Sequence, residues 1–133
     1  MIKGTIDMLI RIQNAQQAKH EHVLVPLSKT KLKVAEILKE SGFLTNIEKK
    51  TKKGRKSEHE YLLIHLKYKD GYEGISGVKI ISKPSRRIYV GSKDLKPVRS
   101  GHGISVLSTP KGVMNSIEAK KQKLGGELLF EVW

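Results

Sequence analysis

Between Thr5 and Asn14 the aliphatic residues Ile6, Leu9 and Ile10, with Ala15 beyond them, recur at the spacing that gathers side chains on one side of a helix. Thr5 stands where an N-cap hydroxyl belongs, and Asp7 falls in the first turn, where the helix dipole favours a carboxylate. Val23-Leu24-Val25, closed by Pro26, predicts a short strand. A second helix is predicted from Ser28 or Thr30 to Glu40, with Leu32, Ala35 and Leu38 as its buried stripe, flanked by Val34 and Ile37. Gly42 follows where a left-handed C-cap prefers glycine. Phe43-Leu44 and Ile47 then begin a strand. Six cations between Lys49 and Lys56, around Gly54, predict an exposed hairpin tip, and Tyr61 to Tyr68 returns with Leu62, Ile64 and Leu66 alternating on one face.

Asp70, Gly71, Gly74 and Gly77 mark a boundary, because such residues concentrate in turns and linkers. Beyond it, strands are predicted at Val78–Ser82, Arg87–Val90, Ile104–Leu107 and Glu127–Val132. A short helix fits between Asn115 and Lys123. Asn115 with Glu118 three residues on resembles a capping box, and Gly125-Gly126 end the helix. The pattern predicts an α+β protein of two small subdomains: an α/β N-terminal half over 1–68, a linker over 69–77, and a strand-rich C-terminal half with one short helix over 78–133.

Charge changes the picture most. The 133 residues carry 26 Lys and Arg against 13 Asp and Glu, a net charge of +13. Such a surplus attracts polyanions and releases their condensed counterions, which makes nucleic acid the leading partner class. Residues 1–68 hold 14 basic and 7 acidic residues, and 69–133 hold 12 and 6. The positive charge is therefore spread over the folded body instead of being confined to a tail. With 38% hydrophobic residues the chain has material for a small core.

No cysteine is present, so disulfides, thiolate catalysis and the usual structural zinc sites are excluded. Phosphate-binding glycine loops and the HExxH zinc motif are also missing. His20 and His22 are neighbours without an evident third ligand, and no carboxylate pair is arranged for acid–base work. The expectation is a protein that is not an enzyme and needs no metal or cofactor. No apolar run approaches the length of a membrane span, and Met1 to Ile12 is too short and charged for a secretory signal.

The most informative stretch is Gly103-Ile104-Ser105-Val106-Leu107-Ser108-Thr109-Pro110-Lys111-Gly112-Val113-Met114, followed by Glu118-Ala119-Lys120 and by Gly125-Gly126-Glu127. It closely resembles the signature of the small-subunit ribosomal protein S8 family. Ile81-Ser82-Lys83-Pro84 with Arg86-Arg87-Ile88-Tyr89-Val90-Gly91, and Asp7-Met8-Leu9 with Arg11-Ile12 and Asn14-Ala15, resemble two further blocks of that family in the same order. The likeness covers nearly the whole chain and is weakest over residues 45–75.

What the resemblance implies is a cytoplasmic ribosomal component, with an organellar ribosome also compatible. It would bind the central domain of 16S ribosomal RNA directly, support subunit assembly, and meet neighbouring small-subunit ribosomal proteins but no membrane. Repression of its own mRNA through a mimic of the RNA site stays open, as does a non-ribosomal RNA-binding translational regulator on the same fold. Ser108 and Thr109 are the expected polar readers, with Lys111 as a nearby cation; taken alone, Ser-Thr-Pro is an ordinary strand-to-turn junction, and the family likeness reverses that preference. Arg86 and Arg87 suit phosphate, Tyr89 suits stacking on an unpaired base, and Gly125, Gly126 and Glu127 bring backbone and a carboxylate acceptor close to RNA. The lysine-rich tip adds affinity without sequence choice. Pro110 replaces a hydroxyl residue usual in the family, so no RNA contact is expected there. Ser85 replaces a common glycine, which points to a type I instead of a type II turn.

Overall fold

A computed structural model describes residues 2–55, 57–69 and 72–133. Contacts divide the chain into two compact units: Asp7–Ile75, and Ser76–Trp133 together with Met1–Ile6.

Helix α1 (Ile2–Gln17), which belongs to the unit Asp7–Ile75 from Asp7 onward, buries Met8, Leu9, Ile12, Ala15 and Gln16 along one stripe. The helix begins at Ile2, not at Thr5. Thr5 is an interior helical residue, 2% exposed, and Asp7 lies beyond the first turn. Ile10 was expected on the buried side but is 47% exposed, because Met8 and Ile12 set the stripe and position 10 rotates away from it. Buried Gln16 stands in for a strand partner: Nε2 donates to the Ile75 carbonyl at 2.9 Å, and Oε1 accepts from the Ile75 N–H at 3.2 Å. Both polar groups of a buried backbone residue are thereby satisfied.

Strand β1 (His22–Pro26) precedes helix α2 (Lys29–Glu40). Ser28 is the N-cap, its Oγ accepting from the Lys31 N–H at 3.1 Å. Val34, Ala35, Ile37 and Leu38 are buried. At the other end Gly42 takes φ +86°, its N–H bonding to Lys39 O while the Phe43 N–H reaches Leu38 O. This paired closure needs the left-handed residue that glycine adopts without steric cost. Strands β2 (Leu44–Lys53) and β3 (Glu58–Leu66) complete an antiparallel sheet of order β1-β3-β2, with Val25, Leu62, Ile64 and Leu66 buried.

The hairpin is longer than the lysine tract suggested. Lys49 to Lys53 are strand residues, and the return strand starts at Glu58 instead of Tyr61. Lys53 pairs Glu58 and Thr51 pairs Glu60, so acidic residues sit opposite or diagonal to the cations and keep the strands together. The tip narrows to Gly54, whose N–H bonds to Ser57 O; Lys56 lies outside the described residues. Tyr68 leaves the return strand for β4 (Tyr68–Lys69), which pairs β5 (Tyr72–Glu73).

The second unit is built on β6 (Val78–Ile80), β7 (Tyr89–Val90), β8 (Ile104–Thr109), β9 (Gly112–Asn115) and β10 (Gly126–Val132). The sheet order is β6-β10-β8-β9, with β7 also paired to β10. β9 was not predicted; four residues straight after a turn give too short a run to read. β8 extends past Leu107 to include Ser108 and Thr109. β6 stops before Ile81 and Ser82, whose N–H groups both reach Leu129 O, and β7 begins only at Tyr89. Helix α3 (Ser116–Lys121) is capped by Asn115, whose Oδ1 accepts from the Glu118 N–H at 2.8 Å. The Glu118 carboxylate accepts from Gln122 Nε2 instead of turning back toward the cap. The chain turns out of α3 at Lys123, φ +56°, just past the C-cap Gln122 and not at the glycine pair: the Lys123 N–H bonds to Lys120 O and the Leu124 N–H to Ala119 O. Leu95, Leu107 and Ala119 form a core on the α3 side of the sheet, with Val90, Met114 and Leu128 packed around it.

Candidate RNA-binding surface

Leu107 points into the α3-side core, so the alternation of β8 turns Ser108 to the opposite face, where it is exposed. Ser108 pairs Glu127 on β10 and Val113 on β9, and Glu127 pairs Tyr89 on β7. Residues in register across antiparallel strands share a face. Tyr89, Glu127 and Ser108 therefore stand in one row, although they are far apart in sequence. Tyr89 is 67% exposed, an unusual state for a tyrosine ring on a sheet. Glu127 Oε2 is buried and has no hydrogen-bond partner. A carboxylate oxygen without a donor is costly to bury, so the row carries a polar group that the fold itself leaves unsatisfied.

Two glycines let the row close up. A Cβ on Gly126 would lie 2.1 Å from the Ser108 carbonyl oxygen, and one on Gly125 would lie 2.5 Å from that of Val90. They are sites of close backbone approach at the start of β10, and neither forms the helix-ending turn expected of it.

Thr109 is differently employed. It is 8% exposed; its hydroxyl donates to Gly112 O at 2.7 Å and accepts from the Lys111 N–H at 3.2 Å. With its only proton committed, Thr109 shapes the β8–β9 turn, in which Pro110 and Lys111 are exposed and Gly112 adopts φ +116°.

Arg86 and Arg87 are exposed in the loop entering β7. That loop is closed by reciprocal bonds between the backbones of Lys83 and Arg86. Ser85 is not among the positive-φ residues, so Pro84-Ser85 is not a type II turn. Sequence reasoning passed over Ser82, which holds this loop to the sheet. Fully buried, its Oγ donates to Leu128 O at 2.6 Å and accepts from the Ile88 N–H at 3.0 Å. The available signal was a lone hydroxyl after the aliphatic run Ile80-Ile81.

A second basic surface lies on the long hairpin of the other unit. Lys52 Nζ sits 5.4 Å from the Tyr61 ring centroid. Glu48 lies 3.4 Å from His65 Nε2 and 3.6 Å from Lys50 Nζ. The His65 hydrogen bond first, and the Lys50 charge next, hold the Glu48 carboxyl below its ordinary pKa. Among the described residues no group of three His, Cys, Asp or Glu is placed to hold a metal ion, and no helix is long and apolar enough to cross a membrane.

Residues 5–133 match the profile of the family described as Ribosomal protein S8. The chain belongs to the ribosomal protein S8 family. Similar proteins include the small ribosomal subunit protein uS8 of Sphingopyxis alaskensis, 44% identical over 127 residues covering 96% of this chain and 94% of the relative. The protein of the same name from Oleidesulfovibrio alaskensis is 47% identical over 127 residues, with the same coverage. That of Persephonella marina is 45% identical over 132 residues, 96% of this chain and 95% of the relative. The S8 family is structural and not enzymatic.

Proposed function

We propose that this chain is a structural component of the small ribosomal subunit, working in the cytoplasm, that binds the central domain of the subunit's RNA directly and helps it assemble. The observation that carries the reading is the row Tyr89–Glu127–Ser108, with an exposed ring, a carboxylate oxygen lacking a donor and a free hydroxyl side by side. A splayed base would stack on Tyr89, a base amine or ribose hydroxyl would donate to Glu127, and Ser108 would bond a neighbouring polar atom. Arg86, Arg87 and Lys111 would hold phosphates around the row. Thr109, Gly125 and Gly126 would serve by setting the backbone on which the readers stand. The hairpin face with Lys50, Lys52 and Tyr61 would add phosphate affinity that ignores sequence. Neighbouring ribosomal proteins would complete the surroundings.

The test is binding of the purified protein to a central-domain ribosomal RNA fragment and to a scrambled RNA of equal length, across a salt series. Ser108→Ala and Glu127→Gln should each lose about 1–3 kcal/mol on the fragment and little on the scrambled RNA. Neutralising Lys50 and Lys52 should weaken both RNAs alike and flatten the salt dependence by roughly one unit per contact. Equal binding of both RNAs by the native protein, collapsing together as salt rises, would refute the reading.

A further inference from the structure

We propose that a groove on the α3 side of the C-terminal unit seats an apolar side chain from an acidic segment of a neighbouring protein. This rests on the reading of the chain as a ribosomal component. The groove holds about 240 Å³; Leu95, Pro97, Val98 and Ile117 line it together with Lys96 and Lys120.

Three observations argue for an occupant. Ile117 is 57% exposed on a six-residue helix whose buried side is Ser116 and Ala119. Helix packing is complete without it, so an aliphatic side chain is left facing outward. The opposite wall is preformed: the N–H groups of Gly101 and Gly103 both bond to Val98 O, and Gly103 has no room for a Cβ, which would lie 2.5 Å from Val132 O. Arg99 takes φ +49° with its guanidinium 4.1 Å from the Trp133 ring, fixing the loop in a conformation that costs energy to hold. A groove that needs no rearrangement before binding suits a docking site.

The chemistry selects the occupant. The two lysines alone would also suit a phosphate, but the Leu95, Pro97, Val98 and Ile117 walls gain only from an apolar side chain, which favours protein over RNA as the occupant. The volume lies below the ~300–1,000 Å³ of small-molecule sites and fits a single anchoring side chain. The charged lining residues are both lysines, so flanking Asp or Glu in the partner would be attracted and Lys or Arg repelled. The groove and the Tyr89–Glu127–Ser108 row use opposite faces of the sheet, because α3 packs on the Leu107 face and Ser108 points to the other. RNA and protein can therefore be held at once.

The experiment places a photo-crosslinking benzophenone amino acid at position 117 or, separately, at position 89, in the full chain incorporated into purified small subunits. The crosslinked products are then sequenced. The expected result is RNA from position 89, and from position 117 a protein segment with an apolar residue flanked by acidic ones. Alongside, the double variant Ile117→Asp, Lys120→Glu should bind the ribosomal RNA fragment within about twofold of the native protein, yet be lost from salt-washed subunits roughly tenfold more readily. RNA, a basic segment or no product from position 117, with RNA still captured from 89, overturns the groove proposal alone. Failure of the chain to enter subunits, or no RNA from position 89, defeats the functional reading and this inference with it.

Discussion

Replacing Ser82 by Ala removes one buried oxygen and should loosen the loop that carries Arg86, Arg87 and Tyr89. The Ser82 hydroxyl is fully buried and joins two backbones, donating to Leu128 O and accepting from the Ile88 N–H. Alanine fits the space but leaves the Ile88 N–H without its partner and the Leu128 carbonyl with one bond fewer. Each buried group so deprived costs about 1–3 kcal/mol, and the carbonyl, with a second lone pair, stands at the lower end. The sum is about 2–4 kcal/mol, a large share of the ~5–15 kcal/mol by which proteins of this size are stable. Trp133 is the only tryptophan and belongs to the same unit, so its fluorescence during urea unfolding reports on the part that is perturbed. The midpoint should fall while the slope is unchanged. Affinity for the ribosomal RNA fragment should fall too, since Tyr89 follows directly on the loosened segment. A stability loss under about 1 kcal/mol would show that the hydroxyl does not hold the loop.

Other consequences are equally checkable. Gly126→Ala forces a Cβ against the Ser108 carbonyl and should cost about 1–3 kcal/mol by urea unfolding, with loss of specific RNA binding; native-like values for both would contradict the close-approach reading. Lys123→Gly relieves a left-handed lysine at the end of α3 and should raise stability by up to ~1 kcal/mol in the same titration, whereas a loss would mean that the lysine conformation carries no strain. For Glu48 the folded pKa lies below the ordinary 4.5. A carboxyl that ionises more readily folded than unfolded adds stability above 4.5, and this is lost as pH falls through the lowered folded value. Carboxyl NMR should show Glu48 titrating below 4.5, and His65→Ala should move it back upward; an unmoved titration would exclude the His65 hydrogen bond as the main cause.

Elements with local signals were legible in the chain. α2 announces itself through Ser28 and Gly42, which the structure uses in the expected roles, and through Ala35 and Leu38 of its stripe, although Leu32 is only half-buried and the flanking Val34 and Ile37 take its place in the core. α1 misled because Thr5 is a good capping residue by type, yet burial made it part of the helix interior. The lysine tract read as a loop because charge suggests exposure, whereas Glu58 and Glu60 across the hairpin make those lysines good strand partners. Lys123 took the left-handed position that Gly125 and Gly126 seemed to claim, since those glycines are required where β10 presses on β7 and β8. The site residues were named by family likeness, but nothing along the chain sets Tyr89, Glu127 and Ser108 side by side. That follows from register between three strands, which is a property of the sheet. Thr109 and Ser82 show the converse limit: sequence gives the hydroxyl, and only packing shows where its proton goes.

β10 also governs the order in which the second unit is able to form during synthesis. It follows β6, β7 and β8 in the chain, yet all three pair with it. Until Gly126–Val132 leaves the ribosome that is making it, β8 has only the β9 hairpin, and β6 and β7 have no partner strand. Such long-range closure makes folding of this half late and cooperative. A nascent chain interrupted before Gly126 would carry all 26 Lys and Arg residues and none of the assembled row: it would cling to RNA by charge while lacking the means to choose among RNAs. Selectivity, in this architecture, is acquired in one step when the strand made last among its partners slides into the middle of the sheet.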